Sequence, residues 1–199
     1  MSFEDAAALP LTFQTAWEGL VEGMNAQKGK SLFVLNGAGG LGSIVIQLGK
    51  HLGRTVVASA SRPETVEWCK KMGADHVINH REDLASELSK VGVASVDYIF
   101  NCHENDRLGE LFKLSVDGKV AITFNATHEH FASVDLLTMW MRRQSFVNVM
   151  MFARCMNEAQ PETVGGVMET CAKLADSGII KTTATTKLNG LEETFTVQG

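Results

Sequence analysis

The chain reads as an α/β protein built on a doubly wound, six-stranded parallel sheet, and three features of the sequence predict it. From about Ser31 onward, short apolar or β-branched runs alternate with amphipathic stretches. A glycine-rich turn follows the first of those runs. The runs are near-continuous rather than strictly alternating, as strands covered by helices on both faces are.

Strands are predicted at Leu32 to Leu35, Thr55 to Ser59, His76 to Ile78, Val96 to Phe100, Val120 to Phe124 and Phe146 to Met151. Helices are predicted at Leu41 to Leu52, Glu64 to Met72, Asp83 to Val91, Asp106 to Leu114, Val134 to Arg143 and Glu162 to Ser177. Strands joined by such crossovers fit two mononucleotide-binding halves in the order 3-2-1-4-5-6. The ends fall outside the pattern. AAALPLTFQTAWEGLVEG precedes it, with a helix running from about Thr12, and GIIKTTATTKL follows it as a β-branched strand with no partner, which suggests missing sequence.

A chain of 199 residues with a formal net charge of -5 has room for one well-buried domain and not for a second full one. The acidic balance argues against a nucleic-acid partner, because polyanion binding needs a basic face. No signal segment and no apolar run of ~18 residues are present, so no membrane association is expected and a cytoplasmic protein is. Cys69, Cys102, Cys155 and Cys171 are widely spaced and read as reduced, mostly buried thiols. His128 and His130 form one close pair, but with no third ligand nearby no metal site is expected.

After the first strand comes Asn36-Gly37-Ala38-Gly39-Gly40-Leu41-Gly42, and a helical pattern follows at once. This is G-x-G-x-x-G between a strand and a helix, the context that makes the motif a dinucleotide-binding signature of the Rossmann type. Gly37 is expected to allow the tight turn, Gly39 the approach of backbone N–H groups to a pyrophosphate, and Gly42 close helix–sheet packing. Gly40 and Leu41 open the helix, whose N-terminal N–H groups and positive dipole end favour a phosphate.

The end of the second strand decides the cofactor. Enzymes for NAD place a carboxylate there on the ribose 2′-OH, about 20 residues past the glycines. This sequence has Ser59-Ala60-Ser61-Arg62 instead, with no carboxylate before Glu64. Ser61 and Arg62 suit a 2′-phosphate, which a guanidinium grips by paired charge-assisted hydrogen bonds, so NADP(H) is the expected cofactor. Ser61 with Glu64 also matches a helix capping box, a role that would leave Arg62 available.

LPLTFQTAWEGL, GAGGLGSIVIQL, ASASRPETVEWCKKMGADHVINH and DSGIIKTTATT together resemble medium-chain dehydrogenases/reductases of the quinone-oxidoreductase type, and the zinc-type alcohol dehydrogenase-like proteins in particular. The resemblance implies that residues 1–26 are the end of a catalytic domain and its linking helix, 27–177 the NADP-binding domain and 178–199 the start of a return to a catalytic domain that is largely absent. It implies a cofactor contact at His80, where an imidazolium would add charge, and a nicotinamide-side lining at Asn101, Cys102, Phe124 and Asn125. The implied reaction moves hydride between NADPH and a small-molecule quinone, enone or carbonyl/alcohol substrate, with catalytic residues outside this chain. A zinc-dependent alcohol dehydrogenase and a stand-alone NADPH-binding module without turnover are the alternatives. The strand at residues 146–151 falls at a sheet edge and carries no charge or proline to protect it, and the resemblance implies a homodimer through that edge, with Val149 near the axis.

Overall fold

The computed structural model describes residues 1–103, 105–123 and 126–186. Ten helices are described: α1 (Phe3–Ala7), α2 (Pro10–Trp17), α3 (Gly40–His51), α4 (Pro63–Met72), α5 (Leu84–Lys90), α6 (Leu108–Lys113), α7 (His128–Ala132), α8 (Leu136–Met141), α9 (Ala153–Met156) and α10 (Thr163–Asp176). The strands are β1 (Ser31–Leu35), β2 (Thr55–Ser59), β3 (His76–Ile78), β4 (Tyr98–Asn101), β5 (Lys119–Ile122) and β6 (Ser145–Asn148). They form one sheet in the order β3-β2-β1-β4-β5-β6, and every neighbouring pair is parallel. The expected doubly wound architecture is present.

Alternate residues of the central strands feed two separate apolar layers. Leu32, Val34, Val56, Ala58 and Phe100 pack with α2, α3 and α10 on one face, while Phe33, Leu35, Val57, Ile99 and Val120 pack with α5 and α6 on the other. Both layers exclude water, which is why these strands lack a polar stripe.

Four expected boundaries move, each for a physical reason. Val96 and Asp97 precede β4 rather than opening it, because the Asp97 carboxylate accepts from the Ser31 N–H at 2.8 Å and the Ser31 hydroxyl at 2.7 Å. The helix expected from Val134 starts later, because Asp135 is its N-cap and accepts from the N–H groups of Leu137 and Thr138, both at 3.1 Å. The expected helix at Asp106 begins as a 3₁₀ turn over Asn105–Arg107. The sixth strand is shorter than its apolar run: β5 ends at Ile122, the Val149 N–H bonds Ile122 O at 2.9 Å, and residues beyond have no strand to pair with among the described residues. Residues 181–186, expected to be extended as a strand, have no regular structure.

The N-terminal segment packs directly onto the sheet. Phe13, Leu20 and Met24 are fully buried in the same layer as Val34 and Ile44. After α2 the chain continues as a π-helical turn over Glu18–Gly23. A Cβ at Gly19 would lie 2.4 Å from the Phe100 ring, and one at Gly23 2.3 Å from Val147, so two glycines let this turn lie against β4 and β6.

Candidate functional site

The carboxyl ends of β1, β2, β3 and β4 meet at the glycine turn. Asn36 leaves β1 in the left-handed region with φ 58, a conformation that Asn tolerates better than most residues. Its N–H donates to Ser59 Oγ at 2.9 Å and its side-chain amide to the Cys102 carbonyl at 3.2 Å. One residue thus ties the ends of three strands together.

The glycines divide the work differently from the sequence expectation. The tight turn is made by Asn36, not Gly37. Gly37 permits close packing: a Cβ there would sit 2.8 Å from Ala58 Cβ and 3.1 Å from Cys69 Sγ. Gly42 clears the turn's backbone, since its Cβ would lie 2.3 Å from Asn36 O and 2.8 Å from Gly37 Cα. Gly39 is the N-cap of α3 and contributes no side-chain cap, which leaves the helix's first N–H groups for another acceptor. A Cβ at Gly40 would make only an ordinary contact, with Thr12 Cγ2 at 3.9 Å, and Leu41 is half-buried against the core.

A cleft of ≈ 350 Å³ opens beside this turn and is lined by Asn36, Gly39, Ser61, Arg62, His80 and Arg81 among others, with no carboxylate among its described lining residues. Arg62, rather than Ser61, is the N-cap of α4. The Thr65 hydroxyl accepts from the Arg62 N–H at 3.2 Å, so the capping box expected from Ser61 and Glu64 is not formed; Pro63 shifts the first helical turn one residue onward. Glu64 instead pairs with Arg62, with Nε 2.9 Å from Oε1.

His80 follows β3 and also lines a smaller adjoining cleft of ≈ 150 Å³ with Asn36, His103 and Arg107. Burial and then the positive fields of Arg81, His103 and Arg107 push its pKa below the usual histidine value, which disfavours the imidazolium expected there. Its Nδ1 is buried without a hydrogen-bond partner among the described residues.

Asn101 and Cys102 occupy the end of β4. The Asn101 amide is turned into its own loop, accepting from the His103 N–H at 3.1 Å and donating to Asn105 Oδ1 at 3.0 Å. Cys102 is buried, which pushes its thiol pKa far up, and it meets the turn through its carbonyl. Phe124 and Asn125 lie outside the described residues.

The structure therefore brings Gly39, Ser61, Arg62 and His80 to one cleft, with Cys102 attached through Asn36. Sequence reasoning missed Asn36, Thr65 and Arg81. Asn36 was recognisable as an αL-tolerant residue before a Gly, and Arg81 as the cation beside His80 at a strand's carboxyl end. Among the described residues no group of three or more His, Cys, Asp and Glu side chains could hold a metal ion, so they do not fit a zinc site. Among the same residues no helix is long and apolar enough to cross a membrane.

The sequence model of the zinc-binding dehydrogenase family matches residues 40–172. A zinc-type alcohol dehydrogenase-like protein of Staphylococcus aureus (strain MSSA476) is 35% identical over 203 residues, covering 96% of this chain and 58% of the relative. The NADPH-dependent alkenal/one oxidoreductase of Arabidopsis thaliana, a chloroplastic protein, is 45% identical over 89 residues, covering 44% of this chain and 23% of that protein. A crystal structure from Rhizobium etli CFN 42, assigned as a zinc-dependent alcohol dehydrogenase, superposes with a TM-score of 0.85 at 30% identity, over 96% of this chain and 57% of that one. The chain thus spans little more than half the length of such full-length relatives. With the matched segment running from the first turn of α3 into α10, the chain belongs to the zinc-binding dehydrogenase family, within the medium-chain dehydrogenases/reductases, and carries that family's α/β cofactor-binding domain.

Proposed function

We propose that the chain binds NADP(H) and is the cofactor domain of an oxidoreductase that moves hydride between NADPH and a quinone, enone or carbonyl/alcohol substrate. The observation that carries the reading is the cleft at the ends of β1, β2 and β3, which is lined by Arg62 and Arg81 and, among the described residues, by no carboxylate. An acidic side chain at the end of β2 would accept from a ribose hydroxyl, and a cationic one favours a 2′-phosphate. The Arabidopsis relative, named an NADPH-dependent alkenal/one oxidoreductase, supports both cofactor and substrate class.

The cofactor supplies the hydride. The chain's own contribution is placement: the uncapped N-terminus of α3 offers backbone donors to a pyrophosphate, Gly39 keeps a side chain out of its way, and His80 walls the cleft beside Arg81.

Titration of protein fluorescence with NADPH and NADH tests the reading. Trp68 is a suitable reporter, because its indole N–H donates to Ser43 Oγ at 2.8 Å in the first turns of α3. NADPH should bind at least severalfold tighter, and equal affinities would overturn the assignment.

The protein assembles as a homodimer through β6, the strand at the sheet edge. The Ser145 and Val149 N–H groups bond Gly118 O and Ile122 O of the β5 side, so the outward groups fall at Phe146 and Asn148 rather than at Val149. Exposed Leu136, Leu137, Trp140 and Met141 of α8 add apolar surface just before the strand. Asn148→Pro should yield monomer in light scattering with the fold retained; an unmodified chain that stays monomeric at high concentration would exclude the dimer.

A further inference from the structure

The two arginines that line the cleft stand in different electrostatic circumstances. Arg62 is engaged, its Nε 2.9 Å from Glu64 Oε1, and an anion must displace that carboxylate before it can use the same edge of the fork. Arg81 makes no ion pair among the described residues.

Arg81 also stands on a braced loop. Its N–H donates to Asn79 Oδ1 at 3.0 Å, and the Asn79 N–H donates in turn to Glu87 Oε2 at 3.0 Å, at the start of the helix behind. The Glu82 N–H closes on Asn79 O at 3.2 Å. From the other side Arg107 donates to the His80 carbonyl while its guanidinium is held by both Glu110 oxygens at 2.6 and 2.7 Å. The backbone that carries Arg81 is therefore held before any ligand arrives, so binding has only the exposed side chain left to order.

Resting on the reading that this cleft takes NADP(H), we propose that Arg81 is the principal residue selecting the 2′-phosphate and that Glu64 competes with that phosphate for Arg62. A phosphate that meets Arg81 gains a charge pair where none existed. One that meets Arg62 exchanges a carboxylate for itself, a smaller net gain, while Glu64 is left as a like charge nearby. NADH has no anion at this position and should feel none of the three residues strongly.

The test is a set of fluorescence titrations of the full chain with NADPH and with NADH, on the unmodified protein and on Arg81→Ala, Arg81→Gln, Glu64→Gln and Arg62→Ala/Glu64→Gln. The last variant removes Arg62 without exposing an unmatched carboxylate. Arg81→Ala and Arg81→Gln should each weaken NADPH about tenfold or more and leave NADH unchanged, the unchanged NADH affinity showing that the site is still folded. Glu64→Gln should tighten NADPH about twofold or more, and the double variant should cost less than either Arg81 change. An Arg81 loss no larger than that of the double variant would overturn the proposal, as would weaker NADPH binding by Glu64→Gln or loss of both cofactors in the two Arg81 variants. If the unmodified protein shows no preference for NADPH, the cofactor reading itself fails.

Discussion

Replacing Gly42 by alanine separates the steric account of the glycine turn from a general preference for glycine. The added Cβ would lie 2.3 Å from the Asn36 carbonyl oxygen and 2.8 Å from Gly37 Cα, both backbone atoms. Comfortable contacts need about 3.5 Å, so either α3 or the turn must move by around 1 Å. The turn cannot yield cheaply, because Asn36 is fixed at φ 58 by its bonds to Ser59 and Cys102. Overpacking of this kind costs about 1–3 kcal/mol, and contact with backbone puts the site near the top of that range. For a domain of this size about 3 kcal/mol corresponds to a fall in Tm of roughly 6–12 °C. Gly40→Ala, two residues away in the same helix, meets nothing nearer than Thr12 Cγ2 at 3.9 Å. It should leave Tm unchanged or raise it by a few degrees, since alanine in a helix is favoured over glycine by up to ~1 kcal/mol. Thermal denaturation followed by circular dichroism measures both, and affinity for NADPH and NADH should fall together in Gly42→Ala because they share the pyrophosphate. A Gly42→Ala protein that melts within ~1 °C of the unmodified chain, or a Gly40→Ala protein damaged as badly, would refute the reasoning.

Two further outcomes follow from burial and charge. Cys155 is exposed while Cys69, Cys102 and Cys171 are buried, and burial pushes the Cys69 thiol to about 11, so an aromatic disulfide reagent at neutral pH should titrate one thiol fast and the rest only on unfolding; a second fast equivalent would contradict the packing. Burial raises the Asp97 carboxyl, but hydrogen bonds from the Ser31 N–H and hydroxyl and the Lys30 ammonium together outweigh it and hold its pKa below the usual value. Its contribution is therefore present above the unfolded value of about 4 and is lost as pH falls through the folded one. Asp97→Asn should cost about 1–2 kcal/mol at pH 6, and the gap in Tm between variant and parent should narrow below about pH 4. A gap that stays constant to pH 3 would show that Asp97 does not act through its charge.

The central architecture was legible because burial on both faces leaves a plain mark: LFVL and TVVAS have no polar stripe, and the turn after the first of them is rich in glycine. Boundaries were less legible where a polar side chain sets them from a distance. Nothing in the local sequence says that Asp97 will close on Ser31, a partner 66 positions away, or that β6 must stop because β5 has stopped. The cleft was half legible. Arg62 stood out because no carboxylate stands at the end of the second strand before Glu64, whereas its ion pair with that Glu64 and the brace behind Arg81 depend on side-chain placement. The charge that the resemblance implies at His80 depends on side-chain placement in the same way: burial, and then the fields of Arg81, His103 and Arg107, disfavour its imidazolium.

The π-helical turn at Glu18–Gly23 bears on which changes of length this protein can accept. Phe13, Ala16, Leu20 and Met24 all belong to one apolar layer, at spacings of three, four and four residues that return to the same side of a helix. Each residue of a helix advances its side chain by about 100°, so deleting any one position between Phe13 and Met24 would swing a fully buried side chain toward water and carry the approach to Val147 with it. Substitution at half-buried Val21 leaves that phase untouched. Over this stretch the spacing of residues is under a tighter constraint than their identity, and homologous chains aligned across it should vary in letters while holding their count.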